Sequence, residues 1–162
     1  MEIRQANLKD AQALARMRWN LRMHDSPVDP DVYAEFEAVF TEFLNDALTN
    51  GRWLIWVAEQ DGAVIAQIYV QIIRKVPRPG ALYQCFGYIT NVYALPDYRN
   101  QGIGSQLMEH VLAWAKAQEL EFVILWPSER SVPYYERLGF ERPDDVLLLT
   151  LEDEDKAYQM NC

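Results

Sequence analysis

Apolar residues recur at helical spacing in three long stretches of the chain and at strand spacing through most of the remainder. From Leu8 to Leu21, Ala11, Leu14, Ala15 and Trp19 fall near one helical face, and Asn7 stands where an N-cap belongs. His24 to Pro30 is polar, contains Pro27 and Pro30, and reads as a loop. A second helix uses Tyr33, Phe36, Val39, Phe40, Phe43, Leu44 and Leu48; Asp29 or Asp31 can cap it, and Asn50-Gly51 ends it. A third begins at Ile103 and carries Leu107, Val111, Trp114 and Ala115 on one side. Strand patterns cover Glu2 to Ala6, Trp53 to Glu59, Ala63 to Arg74, Leu82 to Leu95, Phe122 to Trp126 and Val146 to Leu151. Asp61-Gly62 is a hairpin signal, Pro77 to Gly80 is a loop, and Gly87 marks an interruption or bulge in its strand. Pro133 opens a short helix with Ser131 as a candidate cap, and Gly139 closes it.

The resulting order, β-α-α-β-β-β-α-β-α-β, predicts a mixed α/β fold: one twisted, mostly antiparallel sheet with helices on both faces. The strand–helix–strand passage through the third helix implies parallel pairing there. No repeat or linker divides the chain, so a single domain over 1–162 is expected, with an exposed acidic tail over 153–162.

The chain is organised around Asn91 to Gln118. Val92, Tyr93, Ala94 and Leu95 end a buried strand, Pro96 cannot extend a ladder, and Pro96-Asp97-Tyr98 turns. Arg99-Asn100-Gln101-Gly102-Ile103-Gly104 then leads into the third helix. A strand feeding a glycine-bearing turn that opens a helix suits anion binding. The first helical amides lack partners, the helix dipole is positive at that end, and glycine lets a phosphate reach the backbone. Glycines that serve chain conformation alone are the competing reading.

Other nucleotide motifs fail. A dinucleotide fingerprint from Gly102 would require glycine where Leu107 stands, and no segment supplies the Gly-Lys-Ser/Thr of a P-loop. Arg99-x-x-Gly102-x-Gly104, with Pro96 upstream, resembles the acetyl-CoA signature of the GNAT superfamily of acyl-CoA-dependent N-acyltransferases. Downstream, Ser128 to Phe140 resembles the family's closing motif, ending Tyr135-Glu136-Arg137-Leu138-Gly139-Phe140. The likeness is close from Ala81 to Leu151 and holds elsewhere in outline.

The resemblance implies acetyl-CoA as cosubstrate. Backbone groups of Val92, Tyr93 and Ala94 would pair with its pantetheine arm. The amides of Asn100, Gln101, Gly102, Ile103, Gly104 and Ser105 would receive its diphosphate, with Arg99 adding charge or capping the turn. Ser128 stands where the family often has Asn and can keep a polar contact to pantetheine. Tyr135 falls at the tyrosine that commonly assists the leaving thiolate; packing beside Tyr134 is its alternative role. The family often places a carboxylate on the central strand as base, but here that strand reads Tyr88-Ile89-Thr90-Asn91. Asp25, Glu35, Glu129 and His24 are bases only by composition.

Composition narrows the field. With 162 residues, 50% hydrophobic, the chain suits one globular domain. A net charge of −9 disfavours nucleic acid as a partner and favours a cationic amine or plain solubility. Cys85 and Cys162 are the two cysteines, so neither a disulfide framework nor Cys/His metal spacing arises. No apolar run is long enough to span a membrane. The expectation is a cytoplasmic enzyme, with a homodimer, the commonest assembly, as its candidate oligomer, acting on a primary amine of a small molecule or protein. The alternative is a non-catalytic acyl-CoA-binding regulatory module, motivated by the missing strand carboxylate.

Overall fold

The computed structural model describes residues 1–25, 29–144 and 146–149. The elements are β1 (Glu2–Gln5), α1 (Ala11–Asp25), α2 (Tyr33–Thr49), β2 (Trp53–Gln60), β3 (Ala63–Arg74), β4 (Cys85–Ala94), α3 (Ile103–Ala117), β5 (Val123–Ile124) and α4 (Val132–Arg137). They fall into two compact units, Met1–Trp126 and Pro127–Cys162.

The first unit holds a five-stranded sheet in the order β1-β2-β3-β4-β5. Pairing is antiparallel from β1 to β4 and parallel between β4 and β5. The β2–β3 hairpin turns at Asp61 (φ 53°) and Gly62 (φ 79°), the two positive values that a tight primed turn requires. Asn7 caps the start of the first helical segment. Its side chain accepts from the Lys9 amide, and Asp10 accepts from the Asn7 amide at 2.8 Å, a reciprocal box. Arg4 grips Asp10 through two bonds of 2.8 Å and also binds Glu59, tying β1 to β2 and the start of α1. That guanidinium holds the Asp10 carboxyl below its ordinary range.

Strand alternation sorts the core. Leu14 of α1 and Leu44 of α2 pack with Ile55, Val57 and Tyr69 on one face of the sheet. Trp56, the intervening residue on β2, meets His110 and Trp114 of α3 on the other. α3 buries Ile103, Leu107, Val111 and Ala115 as its apolar period predicts, and Met108 with them, while Trp114 is half-buried.

Several expectations need correction. α1 runs to Asp25, into the segment read as a loop; 26–28 lie outside the described residues. Gly87 sits in regular pairing opposite Ile72, and the bulge falls later, at Asn91 and Val92. A Cβ at 87 would come within 3.1 Å of Val123 and 3.3 Å of both Leu120 and Val70, so those side chains would have to give by a few tenths of an ångström. β5 is confined to Val123–Ile124, paired with Gly87 and Tyr88.

The last strand expected from Val146 does not form over 146–149, whose side chains are 64% to 98% exposed. Apolar composition makes a strand only where a partner edge is available to pair it. Residues 150–151 and the expected tail lie outside the described residues.

Candidate functional site

β4 changes character along its length. At Gly87 and Tyr88 it is paired on both sides, with β3 and with β5. Tyr69 then faces Thr90 while Gln67 faces Tyr93, so Asn91 and Val92 together oppose Ile68. Asn91 takes up the extra residue with φ 53°, a left-handed conformation that Asn tolerates better than most side chains. From Thr90 to Ala94 the pairing seen among the described residues is with β3 alone. Val92, Tyr93 and Ala94 therefore lie on a strand segment with one edge unpaired, which an extended ligand can join by backbone bonds.

The turn after β4 is held by its own side chains. Pro96–Tyr98 form a single 3-10 turn, closed by the Arg99 amide donating to Pro96 O at 3.2 Å. Arg99 Nε donates back to Ala94 O at 3.1 Å, and its guanidinium lies 5.3 Å from the Tyr93 ring centre. Gln101 Nε2 donates to Asp97 O at 2.7 Å. Arg99 thus ties the turn to the strand end, the capping role weighed for it, while remaining exposed.

Asn100 (φ 59°) and Gly102 (φ 79°) both take the left-handed conformation, which swings the chain into α3. The first bond inside the helix runs from the Gln106 amide to Gly102 O at 3.0 Å, and no side chain caps this end. The amides of Ile103, Gly104 and Ser105 precede that bond. Asn100, Gln101 and Gly102 are exposed and Gly104 and Ser105 half-buried, whereas the Ile103 side chain anchors the turn in the core. A helix of 15 residues whose first amides have no side-chain cap is chemically suited to an anion.

The second unit carries Ser128 and Tyr135. Ser131 stands at the N-cap position of α4 without capping it: its hydroxyl donates to Ser128 O at 2.8 Å, while Ser128 Oγ donates to Ser131 Oγ at 3.0 Å. Gly139, at φ 89°, ends α4 and lets the Phe140 amide return to Tyr135 O at 3.1 Å. The Tyr135 ring is half-buried between Tyr134 and Phe140, with centroids at 5.0 and 5.6 Å. Burial, with a smaller contribution from Tyr134, pushes its phenol up to about 12.

Sequence reasoning missed a polar group on the α1 side of β3 and β4. Arg18 Nη1 donates to Asn91 Oδ1 at 3.4 Å. Asn91 also lies beside the Tyr69 hydroxyl, although the geometry falls short of a hydrogen bond. Gln67, one strand period from Tyr69 on the same face, is 0% exposed, and neither of its amide atoms meets a hydrogen-bond partner. A signal was available. Ala11, Leu14, Ala15 and Arg18 share the spacing of one helical face, so a cation occupies a position the pattern reserves for core.

Of the bases suggested by composition, Glu35 and Glu129 are exposed, and the His24 and Asp25 side chains lie outside what is described. No cluster of metal-binding side chains occurs among the described residues. No helix there is long and apolar enough to cross a membrane.

An open strand edge that runs into an uncapped glycine turn defines a class, and comparison agrees: residues 17–140 match the acetyltransferase (GNAT) family, to which this chain belongs. It is accordingly an acetyl-CoA-dependent acyltransferase, and acetyl-CoA is its cosubstrate. A predicted acetyltransferase of Clostridium acetobutylicum, solved with acetyl-CoA, superposes with a TM-score of 0.75 at 27% identity, over 93% of this chain and 96% of that one.

Two relatives bear specific names. The glucosamine 6-phosphate N-acetyltransferase of Trypanosoma brucei brucei is 29% identical over 97 residues, 60% of this chain and 64% of its own length. The chain thus spans less than two-thirds of that relative. N-alpha-acetyltransferase 30 of Schizosaccharomyces pombe is 33% identical over 119 residues, 72% of this chain and 69% of its own. The two names describe different acceptors.

Proposed function

We propose that the chain transfers an acetyl group from acetyl-CoA to a primary amine by direct attack of the amine on the thioester. The observation that carries this reading is the continuity of β4's unpaired edge with the uncapped first turn of α3. Val92, Tyr93 and Ala94 pair with the amide-bearing pantetheine arm as a strand would. The amides from Asn100 to Ser105 receive the diphosphate. Arg99 acts by fixing the turn, and Ser128 adds a polar contact to pantetheine.

The proton budget constrains the chemistry. An alkylammonium near pKa 10.4 costs roughly 4–5 kcal/mol to deprotonate at pH 7. No described carboxylate stands on β4, so water passes that proton to solvent in this reading. A phenol raised to about 12 is also a poor acid toward a thiolate whose thiol has a pKa near 8.5. Full proton transfer ahead of C–S cleavage would be uphill by roughly 5 kcal/mol at 1.36 kcal/mol per unit. Tyr135 therefore serves as a hydrogen-bond donor to the sulfur while charge develops there, delivering its proton late or not at all.

The test is turnover. Acetyl-CoA is mixed with the protein and a panel of small amines and peptide N-termini, and free thiol is followed. Release that depends on the amine is expected. Tight acetyl-CoA binding with no release on any amine would overturn catalysis and favour the non-catalytic binding module.

A further inference from the structure

Among the described residues, Arg18 is a cation without a counter-charge. It is half-buried on the sheet-facing side of α1 and meets a neutral amide oxygen, Asn91 Oδ1. The ion pairs among the described residues involve Arg4 and Lys75, and no described carboxylate reaches Arg18. The charged group that bears on it is Arg22, a like charge one helical turn further on. Burial first, then Arg22, lowers its pKa, so the structure holds this charge at a cost. The Tyr69 and Tyr88 hydroxyls also lie close enough to interact with it electrostatically. Tyr69 Oη, on a side chain 2% exposed, has no hydrogen-bond partner.

Proteins rarely hold such groups idle. A partly desolvated cation without its anion, beside a buried hydroxyl without a partner, is unfavourable in the free protein. Both costs fall if a ligand supplies the missing acceptor. The net charge of −9 sharpens the point, because the field of the whole molecule opposes an approaching anion and a local cation must outweigh it. Arginine also fits a carboxylate or phosphate edge through paired N–H donors, as lysine does not. The group stands where α1 crosses the bulge of β4, beside the strand segment assigned above to pantetheine.

We infer that the acceptor is a small amine carrying an anionic group, a carboxylate or a phosphate, which the Arg18 guanidinium receives with Tyr69 Oη and Asn91 beside it. This rests on the acetyltransferase reading for the identity of the other substrate, but the anion site can be tested apart from it. Matched pairs separate the two anions: β-alanine against β-alaninamide, and phosphoethanolamine against ethanolamine, with glucosamine 6-phosphate against glucosamine as a larger phosphate pair. Each is titrated calorimetrically into the CoA-loaded protein, and each is assayed with acetyl-CoA by thiol release.

In at least one arm the anionic member should bind at least about tenfold tighter, a difference of 1.4 kcal/mol. Arg18→Met should abolish that preference and leave acetyl-CoA affinity within about twofold. Arg18→Lys should retain part of it, and carries the test if the Met variant melts early by circular dichroism. Equal binding within every pair, or a preference that survives Arg18→Met, overturns the inference. An Arg18-dependent preference without acetyl transfer would leave the anion site standing and refute the acetyltransferase reading instead.

Discussion

On the α3 side of the sheet, Ile68, Val70 and Ile89 lie against a helix that buries Leu107, Met108 and Val111, each 1% exposed or less. On the α1 side, the same two strands present Gln67, Tyr69, Thr90 and, at the bulge, Asn91, and α1 brings Arg18 to Asn91. Exposure does not set this difference, since β3 is buried continuously from Ile65 to Val70. On the first side, transfer of apolar surface out of water rewards every contact, and the unpartnered buried polar atom there is Trp56 Nε1. On the second, polar atoms are buried without protein partners, which opposes folding. The α1 side has its own apolar cluster in Leu14, Leu44, Ile55 and Val57, so the difference is confined to the polar patch of Gln67, Tyr69 and Asn91, where the inferred acceptor would bind.

The largest effect should come from damaging the apolar packing under α3. Leu107→Ala opens a cavity under α3 and should cost about 3 kcal/mol in denaturant unfolding, within the usual range for a buried leucine. A loss under 1 kcal/mol would mean that this face is not the close-packed one. Next comes the turn that this face supports. Gly104 is half-buried at the second position of α3, and Gly104→Trp lays an indole across the first amides. Affinity for CoA should fall at least about hundredfold, near 2.7 kcal/mol, with the thermal midpoint within a few degrees of wild type. Unchanged affinity would remove the phosphate site from this turn.

Much of the proposed cofactor side is legible in the sequence because it is built from backbone. Pro96, Gly102 and Gly104 announce where a strand must stop and where amides must be reached, and those demands act on residue type directly. The hairpin at Asp61-Gly62 and the cap at Asn7 were legible for the same reason. The acceptor side is built from side chains on three separate elements, and only folding brings Arg18 beside Asn91. The bulge shows the limit well: glycine at 87 attracted the reading, yet it answers to crowding by Val123, Leu120 and Val70. Asparagine at 91, a weaker signal, takes the positive φ. The strand expected from Val146 failed because its apolar run carries no information about a partner edge.

No described carboxylate stands on β4, so a smaller effect tests the residue proposed to assist the sulfur. Tyr135→Phe removes one hydroxyl from a ring that keeps its packing against Tyr134 and Phe140. Steady-state kcat should drop about tenfold, 1.4 kcal/mol of transition-state stabilisation, with acetyl-CoA affinity unchanged. If kcat is unmoved, the ring is there for packing, and the sulfur finds its hydrogen bond elsewhere.

The smallest effect has the most informative sign. Gln67 is fully buried on the α1 side, and its amide donates to and accepts from no described residue. Replacing a buried amide of this kind with a hydrocarbon of similar volume removes a desolvation penalty and loses no bond. Gln67→Leu should therefore raise the stability of the free protein, by about 1 kcal/mol in denaturant unfolding. The same change on a satisfied core amide would lower stability by a similar amount, so the direction decides. A stabilised variant with a raised KM for the amine and unchanged acetyl-CoA affinity would show stability traded for recognition on this face alone. A destabilised one would mean that Gln67 holds partners inside the fold, and the contrast between the two faces would then be one of composition rather than of purpose.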